Sequence, residues 1–293
     1  MKNAPVRHAL EFALLAPLLG LLRALPHGAS RPLGAALGSL AHAVDLRHRR
    51  IARDNLAHAF PELDARDHRR LAHATFRHFG AAFADSLSAA RFDRIELCRR
   101  VDVVGDHHVR SAERAGRGLI VLGWHYGNWE IISAYVAHAY GPMVPVGRPI
   151  DNPHLDRSVR ALRQRFGNRQ LDKRGAVREM FKVLRAGGRL GLLIDQRVRA
   201  EEAIEIDFFG RPAWTSPIVA RLALKTGAPI VPTFADHRPG GRYLVRFEEP
   251  IWPGEVDDAA ATGELTRRAV AAGERVIRGA PERWLWLHRR WKR

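Results

Sequence analysis

The sequence of 293 residues contains one cysteine, Cys98, and is short of acidic side chains relative to basic ones. A single thiol excludes an intrachain disulfide, which fits a reducing compartment. The motifs G-x-S-x-G, G-x-x-x-x-G-K-[ST] and G-x-G-x-x-G are absent, so neither a serine hydrolase elbow nor a P-loop nor a dinucleotide fingerprint is indicated. No histidine or cysteine cluster has the spacing of metal ligands, and we predict no metal site.

Basic residues outnumber acidic ones: 48 Lys and Arg stand against 31 Asp and Glu, for a formal net charge of +17. Such a field attracts anionic partners, among them nucleic acid, acidic membrane surfaces, phosphorylated substrates and acidic carrier proteins. Neither a zinc-ligand pattern nor an aromatic-basic RNA signature accompanies the charge. We therefore predict no nucleic-acid binding.

A leucine-rich run without charge covers residues 12–22 and lies between basic residues. It is too short to cross a bilayer, because a spanning helix needs about 20 residues. The alternatives are a signal-peptide core, a buried helix and a helix in the membrane interface, and the basic flanks favour membrane association. A second apolar run over residues 32–44 is expected to pair with the first as a helical hairpin.

The chain divides into two regions by its pattern. Residues 1–95 have alanine and leucine at helical spacing and few β-branched residues, which predicts an N-terminal helical membrane-associating region. The arginines and histidines of residues 64–86, including His68 and His78, fall mostly on a polar face and are expected to be solvated. Residues 96–293 alternate between strand and helix patterns, which predicts an α/β domain with helices on the faces of its sheet.

Two polar residues follow predicted strands of this domain. His125 comes after the apolar run 119–122, and Asp195 ends the run 190–194. In open α/β sheets, chemistry concentrates beyond the carboxyl ends of strands. Histidine is the natural general base near neutral pH, and Glu130, five positions later in a predicted helix start, is a candidate partner. The helix dipole by itself also favours a carboxylate there, whereas free amides at that helix start could stabilise an oxyanion.

The region around His125 resembles the H-x4-D/E motif of glycerolipid acyltransferases. More closely, the chain resembles the bacterial lipid A biosynthesis acyltransferases, of lauroyl and myristoyl type, and the related phosphatidylinositol mannoside acyltransferases. The resemblance runs from about residue 5 to the end and is carried by five ordered segments. These are residues 116–130 (GRGLIVLGWHYGNWE), 148–153 with 163–167 (RPIDNP, RQRFG), 191–196 (GLLIDQ), 208–213 (FFGRPA) and 284–292 (WLWLHRRWK).

This resemblance implies a mixed central sheet and transfer of a fatty acyl chain. The donor would be an acyl thioester on acyl carrier protein or coenzyme A, with no other cofactor, and the acceptor a hydroxyl of an anionic glycolipid or phospholipid. The enzyme would act at the cytoplasmic face of the inner membrane as a peripheral or monotopic protein. Its implied catalytic residues are His125 as base, with Glu130 and Asp195 as orienting carboxylates; its implied substrate-binding residues are Arg148, Arg163 and Asn128.

Several of these residues have a purely structural alternative. Arg148 and Arg163 can be ordinary surface arginines, and Asp195 can cap the segment after its strand. Phe208 and Phe209 would line an acyl channel or belong to the core. The tryptophans at 284, 286 and 291 suit either the bilayer interface or a packed core, while the terminal basic residues at 289, 290, 292 and 293 are expected to extend the basic surface.

Two other functions compete with acyl transfer to a lipid. A non-catalytic membrane or nucleic-acid binding protein would use the same charge and the same N-terminal helices. It would have no need for His125, Glu130, Arg163 and Asp195 together. A thioesterase would use the same base to activate water.

Overall fold

A computed structural model describes residues 4–164, 166–173 and 175–292. Lys2, Arg165 and Arg293, which contributed to the sequence predictions, lie outside the described residues. The helices are α1 (Ala4–Ala24), α2 (His27–Val44), α3 (Leu46–Ala59), α4 (Ala65–Ala89), α5 (Arg94–Arg100), α6 (Asp106–Arg114), α7 (Trp129–Ala139), α8 (Pro153–Gln164), α9 (Val177–Arg185), α10 (Ile218–Thr226) and α11 (Ala259–Gly279). The strands are β1 (Val101–Val104), β2 (Leu119–Gly123), β3 (Met143–Gly147), β4 (Leu171–Asp172), β5 (Arg189–Leu193), β6 (Ile204–Phe208), β7 (Arg211–Thr215), β8 (Ile230–Arg238) and β9 (Arg242–Phe247).

Seven strands form the central sheet in the order β1-β9-β8-β2-β5-β3-β4. All neighbours are parallel except β8 and β9, which form an antiparallel hairpin, so the predicted mixed sheet is confirmed. The apolar strand β2 is fully buried at the centre, as expected for a strand covered by helices on both faces. The pair β6 and β7 forms a separate antiparallel hairpin that the sequence pattern did not predict.

Four helices make up the N-terminal region, as predicted. Asp64 starts α4 by accepting hydrogen bonds from the backbone N–H groups of Arg66 and Asp67, at 2.7 and 2.8 Å. Helix α2 packs closely on α4 through glycines, because a Cβ atom at Gly34 would lie 2.3 Å from the carbonyl oxygen of Gly80. No helix among the described residues combines the length and apolar character needed to cross a bilayer.

The two N-terminal apolar runs form α1 and α2, which follow each other directly. Both helices contact α4, and leucines from α1 and α2 join Ala84 and Leu87 in one small apolar cluster. The described pair is therefore organised around α4 and is not a freestanding hairpin.

Two predictions about the polar face of α4 were wrong. His68 is buried and its Nε2 lies 2.9 Å from the carbonyl oxygen of Phe60, while Nε2 of His78 is buried. Helix α4 packs against α1, α2 and α3, so parts of these two histidines are buried, whereas Arg69, Arg70 and Arg77 are exposed as predicted.

The tryptophans near the C-terminus belong to the core. The side chains of Trp284 and Trp286 are fully buried, and both pack in the main core cluster with Phe208 and Phe209. This favours the packed-core alternative for the tryptophans and places the two phenylalanines in the core, not along a channel. Arg290 is also buried, at 1% exposure, so its predicted place on the basic surface was wrong.

Candidate active site

His125 and Asp195 meet at the centre of the sheet. Strands β2 and β5 are parallel neighbours whose register pairs Gly123 with Leu193, so the residues two positions further on leave the same edge side by side. His125 Nδ1 lies 2.9 Å from Asp195 Oδ1, and the His125 backbone N–H donates to Asp195 Oδ2 at 2.8 Å. The carboxylate therefore fixes both the ring and the backbone of the histidine.

Asp195 is buried yet carries charge. Burial by itself would raise the pKa of its carboxyl, but the charge and hydrogen bonds of His125 and the indole N–H of Trp284 hold that pKa well below its usual range. The Trp284 Nε1–H donates to Oδ2 at 2.8 Å. A charged Asp195 holds the proton of the imidazole on Nδ1 and leaves Nε2 free to accept another.

The imidazole of His125 is partly exposed. Its side chain is 21% exposed, whereas that of Asp195 is 2% exposed. The side-chain amide of Gln196 lies 3.5 Å from Nε2, and the Trp129 ring packs edge-on at 5.2 Å between centroids. A partly exposed imidazole whose Nδ1 is held by a carboxylate can accept a proton from a hydroxyl group at Nε2.

Glu130 does not orient His125 in this structure. Its carboxylate binds Arg163 through two nitrogens: Nη2 donates to Oε1 at 2.6 Å and Nε donates to Oε2 at 3.0 Å. The Trp129 indole donates to Oε1 at 3.0 Å. The structural reason is the helix geometry: α7 starts at Trp129, so the Glu130 side chain points toward α8 and away from the strand ends. Among the described residues, Asp195 is the carboxylate that contacts the imidazole.

The two predicted arginines differ in their surroundings. Arg163 on α8 is half-buried; burial would lower the pKa of its guanidinium, but the hydrogen bonds and charge of Glu130 raise the pKa above its usual value. It also donates to Gln170 at 3.3 Å. Arg148 is exposed and pairs with Asp151 at 2.9 Å on the surface. Of these two arginines, only Arg163 contacts α7, the helix that follows the loop of residues 124–128, here called the catalytic loop because it contains His125.

Asn128 is committed to a structural contact. It is 3% exposed, accepts a hydrogen bond from Ser86 at 2.9 Å and donates to Asp85 at 3.4 Å, both on α4. Its predicted role in substrate binding stays a prediction, and the structure shows its side chain in contact with α4. Asn128 occupies the cap position of α7, but its side chain makes no cap hydrogen bond, which leaves the first amides of the helix uncapped.

The loop that carries His125 is held by the C-terminal segment. The Gly127 N–H donates to the carbonyl of Arg283, and the Leu285 N–H donates to the carbonyl of His125, both at 2.9 Å. Gly127 has φ +60°, and a Cβ atom there would lie 1.9 Å from the carbonyl oxygen of Ala235. Only glycine fits this turn. Sequence reasoning placed neither Trp284 nor Gln196 at the site, although both lie in segments that carry the resemblance.

A small cavity of about 20 Å³ adjoins the Glu130–Arg163 pair. Its walls come from α4, α5, α7 and the end of α8. Most of its lining is apolar, with the ion pair at one side. The apolar lining consists of Ala89, Phe92, Leu97, Ile131, Ala134 and Phe166. The cavity has room for about one water molecule, so only its apolar lining, and not its size, is suited to hydrocarbon.

A second arrangement of Ser, His and Asp lies at the junction of α2, α4 and β9. His27 Nδ1 lies 2.6 Å from Ser88 Oγ, and its Nε2 lies 3.2 Å from Asp85 Oδ1. Burial lowers the pKa of His27 to about 4 and raises that of Asp85 to about 6. Ser88 is 0% exposed, so no substrate can reach its hydroxyl. The trio joins the N-terminal helices to the sheet and is not a nucleophilic site.

The described residues contain no group of three or more histidine, cysteine, aspartate or glutamate side chains placed to hold a metal ion. The arrangement at His125 can take a proton from a hydroxyl group, and the uncapped amides at the start of α7 can stabilise negative charge.

Several known proteins are similar to this chain in sequence. It is 28% identical over 280 residues to the lipid A biosynthesis lauroyltransferase of Escherichia coli (strain K12), covering 94% of this chain and 89% of that protein. It is 26% identical to the phosphatidylinositol mannoside acyltransferase of Mycolicibacterium smegmatis, over 75% of this chain and 72% of the relative. A solved structure, the 1-acyl-sn-glycerophosphate acyltransferase PlsC from Thermotoga maritima, covers 84% of this chain and 98% of its own at 15% identity, with a TM-score of 0.39.

The match to a whole family is more extensive than any of these. The family model of the bacterial lipid A biosynthesis acyltransferases matches residues 3–293. This range includes the ends of β2 and β5 and the C-terminal segment that holds the loop of His125. The resemblance seen in the sequence is thereby confirmed: this chain belongs to the bacterial lipid A biosynthesis acyltransferase family and is an acyltransferase.

Proposed function

We propose that this enzyme transfers a fatty acyl chain from an acyl thioester to a hydroxyl group of a membrane glycolipid of the lipid A type. The observation that carries the proposal is the pair His125–Asp195, in which Nδ1 is 2.9 Å from the carboxylate while the His125 side chain is 21% exposed. An imidazole held in this way is a general base for a hydroxyl group.

The reaction follows from the positions of these atoms. The acceptor hydroxyl gives its proton to His125 Nε2 as its oxygen attacks the thioester carbonyl carbon. Asp195 stabilises the imidazolium ion that forms. The tetrahedral intermediate collapses, the C–S bond breaks, and the thiolate leaving group takes the proton from the imidazolium. The uncapped first amides of α7 stabilise the negative oxygen of the intermediate.

Glu130 and Arg163 act as a unit in this proposal. Because the Glu130 carboxylate holds the guanidinium through two nitrogens, it fixes the position of a cation close to the catalytic loop. That cation contacts a phosphate group of the donor or of the acceptor. Arg148, exposed and paired only with Asp151, is proposed as a more peripheral contact for the same anionic group.

The apolar surface beside Arg163 is proposed to contact part of the acyl chain. It is formed by side chains of α4, α5 and α7 together with Phe92 and Phe166, next to the Glu130–Arg163 pair. Because the cavity there has a volume of about 20 Å³, these side chains must move apart to admit the chain. A thioester bound with its carbonyl at the start of α7 would place its chain and its charged carrier on opposite sides of that pair. Burial of the chain contributes about 0.8 kcal/mol per methylene group.

The acceptor and the location are inferred from the relatives and from the surface. The bacterial relatives named for lipid A biosynthesis support a lipid A precursor as acceptor, and the mannoside relatives support a phosphatidylinositol mannoside as the second candidate. Leu15 and Leu21 on α1 are exposed, and Arg7 and Arg23 lie at either side. This face is suited to peripheral binding at the cytoplasmic surface of the inner membrane.

The donor carrier follows from charge. A formal net charge of +17 favours acidic partners, and acyl carrier protein is more extensively acidic than coenzyme A. We therefore propose acyl carrier protein as the carrier, with coenzyme A as the alternative. Raising the salt concentration should weaken use of the carrier protein more than use of coenzyme A.

The test is transfer of radiolabelled lauroyl groups by the purified full-length protein in lipid vesicles. Lauroyl-acyl carrier protein and lauroyl-coenzyme A are compared as donors, with lipid A precursor and phosphatidylinositol mannoside as acceptors. His125→Ala is expected to lower the rate by about 10²- to 10⁴-fold while circular dichroism stays unchanged. Unchanged turnover in this variant would contradict the proposal, as would thioester hydrolysis that is unaffected by adding any acceptor. Vesicle binding without transfer would favour a non-catalytic membrane protein.

A further inference from the structure

We propose that Trp284 is a positioning residue for the reaction: its indole N–H orients Asp195, which in turn orients the imidazole of His125. This inference rests on the proposed role of His125 as the base. It assigns to a buried tryptophan near the C-terminus a part in catalysis that neither its exposure nor its packing alone would indicate.

The hydrogen bonds around Asp195 carry the proposal. Oδ1 accepts from His125 Nδ1 at 2.9 Å, and Oδ2 accepts from the His125 backbone N–H and from Trp284 Nε1, each at 2.8 Å. A carboxylate held by only the histidine could rotate with the ring that it is meant to orient. The indole supplies the donor that comes from another part of the chain, and it fixes the carboxylate plane independently of the catalytic loop.

Trp284 is itself immobilised. Its side chain is 0% exposed and packs against Phe208 at 5.4 Å and Trp286 at 4.6 Å between ring centroids. Its backbone forms a β-bridge with Tyr126, and the next residue, Leu285, donates to the carbonyl of His125. One segment thus holds the catalytic loop by its backbone and the catalytic carboxylate by its side chain.

The chain offers a matched control two residues away. Trp286 is also 0% exposed and lies in the same aromatic cluster, but its Nε1 donates to the carbonyl of Pro281 at 2.7 Å. Trp284→Phe and Trp286→Phe remove the same number of atoms from the same core and each delete one indole hydrogen bond. They differ in whether the lost bond reached Asp195.

The experiment compares the two variants in lauroyl transfer and in the titration of His125. For Trp284→Phe we expect kcat to fall about tenfold to a hundredfold, the range for loss of one hydrogen bond to a charged group, with KM unchanged. The acid limb of the pH–rate profile should move to higher pH, because a carboxylate that has lost a donor binds the imidazolium proton more strongly. Trp286→Phe should keep kcat within about twofold and leave the acid limb in place.

The His125 titration is followed by NMR of histidine-labelled protein, assigned by comparison with His125→Ala. It should move in Trp284→Phe and stay in Trp286→Phe. Equal losses of kcat in both variants, with no movement of the acid limb or of the NMR titration, would overturn the proposal and leave Trp284 a packing residue. Absence of lauroyl transfer by the unmodified protein would instead count against the proposed function, since the NMR titration tests the Trp284–Asp195 coupling without any substrate.

Discussion

At the scale of single residues, the carboxylate that contacts the base is not the one that the motif spacing favours. Glu130 is five positions from His125, yet it binds Arg163 and the Trp129 indole, while Asp195, 70 positions away, hydrogen-bonds Nδ1. The difference arises because Glu130 lies in the first turn of α7, where its side chain points away from His125. The parallel neighbours β2 and β5, in contrast, end side by side and bring His125 and Asp195 together. The two carboxylates should therefore affect different kinetic parameters.

Glu130→Gln tests this division of roles. We expect KM for the anionic substrate to rise about tenfold, because Arg163 loses a charged partner and its fixed position. The acid limb of the pH–rate profile should not move. Asp195→Asn is the comparison, and it should lower kcat by about 10²- to 10⁴-fold because an amide no longer holds the imidazole in the required tautomer. A shifted acid limb in Glu130→Gln would return Glu130 to the role of partner of His125.

At the scale of elements, the contact of α2 with α4 decides how the N-terminal region joins the active site. Glycines 34, 38 and 80 let the two backbones approach closely, and α4 then presents Ser86 and Asp85 to Asn128 on the catalytic loop. Helices α1 and α2 and the loop that carries His125 are thus connected through one helix. A change in the distance between α2 and α4 is therefore expected to move the loop that carries His125.

Gly80→Ala should destabilise the protein by about 1–3 kcal/mol, the usual range for overpacking a close contact. Its Cβ atom would lie 2.2 Å from the carbonyl oxygen of Gly34, and backbone on both helices would have to move. Gly28→Ala on α2 is the control: its Cβ atom would meet no atom within 4 Å, and alanine has the better helix propensity. Thermal unfolding measures both. Equal melting temperatures for the two variants would show that the close contact is unimportant.

At the scale of the whole molecule, several histidines are buried or half-buried where the N-terminal helices and the C-terminal segment meet the sheet. Burial lowers the pKa of each to about 4 from an ordinary value of 6.5. Nearby arginines contribute to this lowering. The histidines concerned are His27, His78, His237 and His288. Asp85 is the opposing group, since burial raises the pKa of its carboxyl to about 6 from 3.8.

These pKa shifts predict how stability depends on pH. Each buried histidine stays neutral in the folded protein but is protonated when unfolded, so its contribution is present above pH 6.5 and is lost as pH falls toward 4. Asp85 contributes to the free energy of unfolding with the opposite sign, because its raised pKa favours the folded state below about pH 6. The four histidines together outweigh this single carboxyl group. We expect the free energy of unfolding, measured with urea, to fall between pH 7 and pH 4. His288→Gln should make this dependence shallower, and a flat profile in the unmodified protein would contradict the assignment.

The sequence pattern was sufficient for the two strands that lead to the site. Strands β2 and β5 lie within one residue of the apolar runs 119–122 and 190–194, because each run is free of charged residues and closely follows a glycine. The short strands β1 and β4 and the hairpin of β6 and β7 were not predicted, since they have few residues and depend on partners distant in sequence. The division at residue 95 stays a prediction.

By itself, the sequence determined the α/β class, the family and His125 as the candidate base, because strand and helix periods and a long ordered set of motifs are local properties. The tertiary structure alone decided which groups surround that base. It brought Asp195 to Nδ1, directed Glu130 to Arg163, buried Asn128 against α4 and placed the Trp284 indole on Asp195. The physical reason is that hydrogen bonds depend on distance and direction in space. These are set by the order of the strands in the sheet and by the C-terminal segment that packs back against the loop of His125, and not by spacing along the sequence.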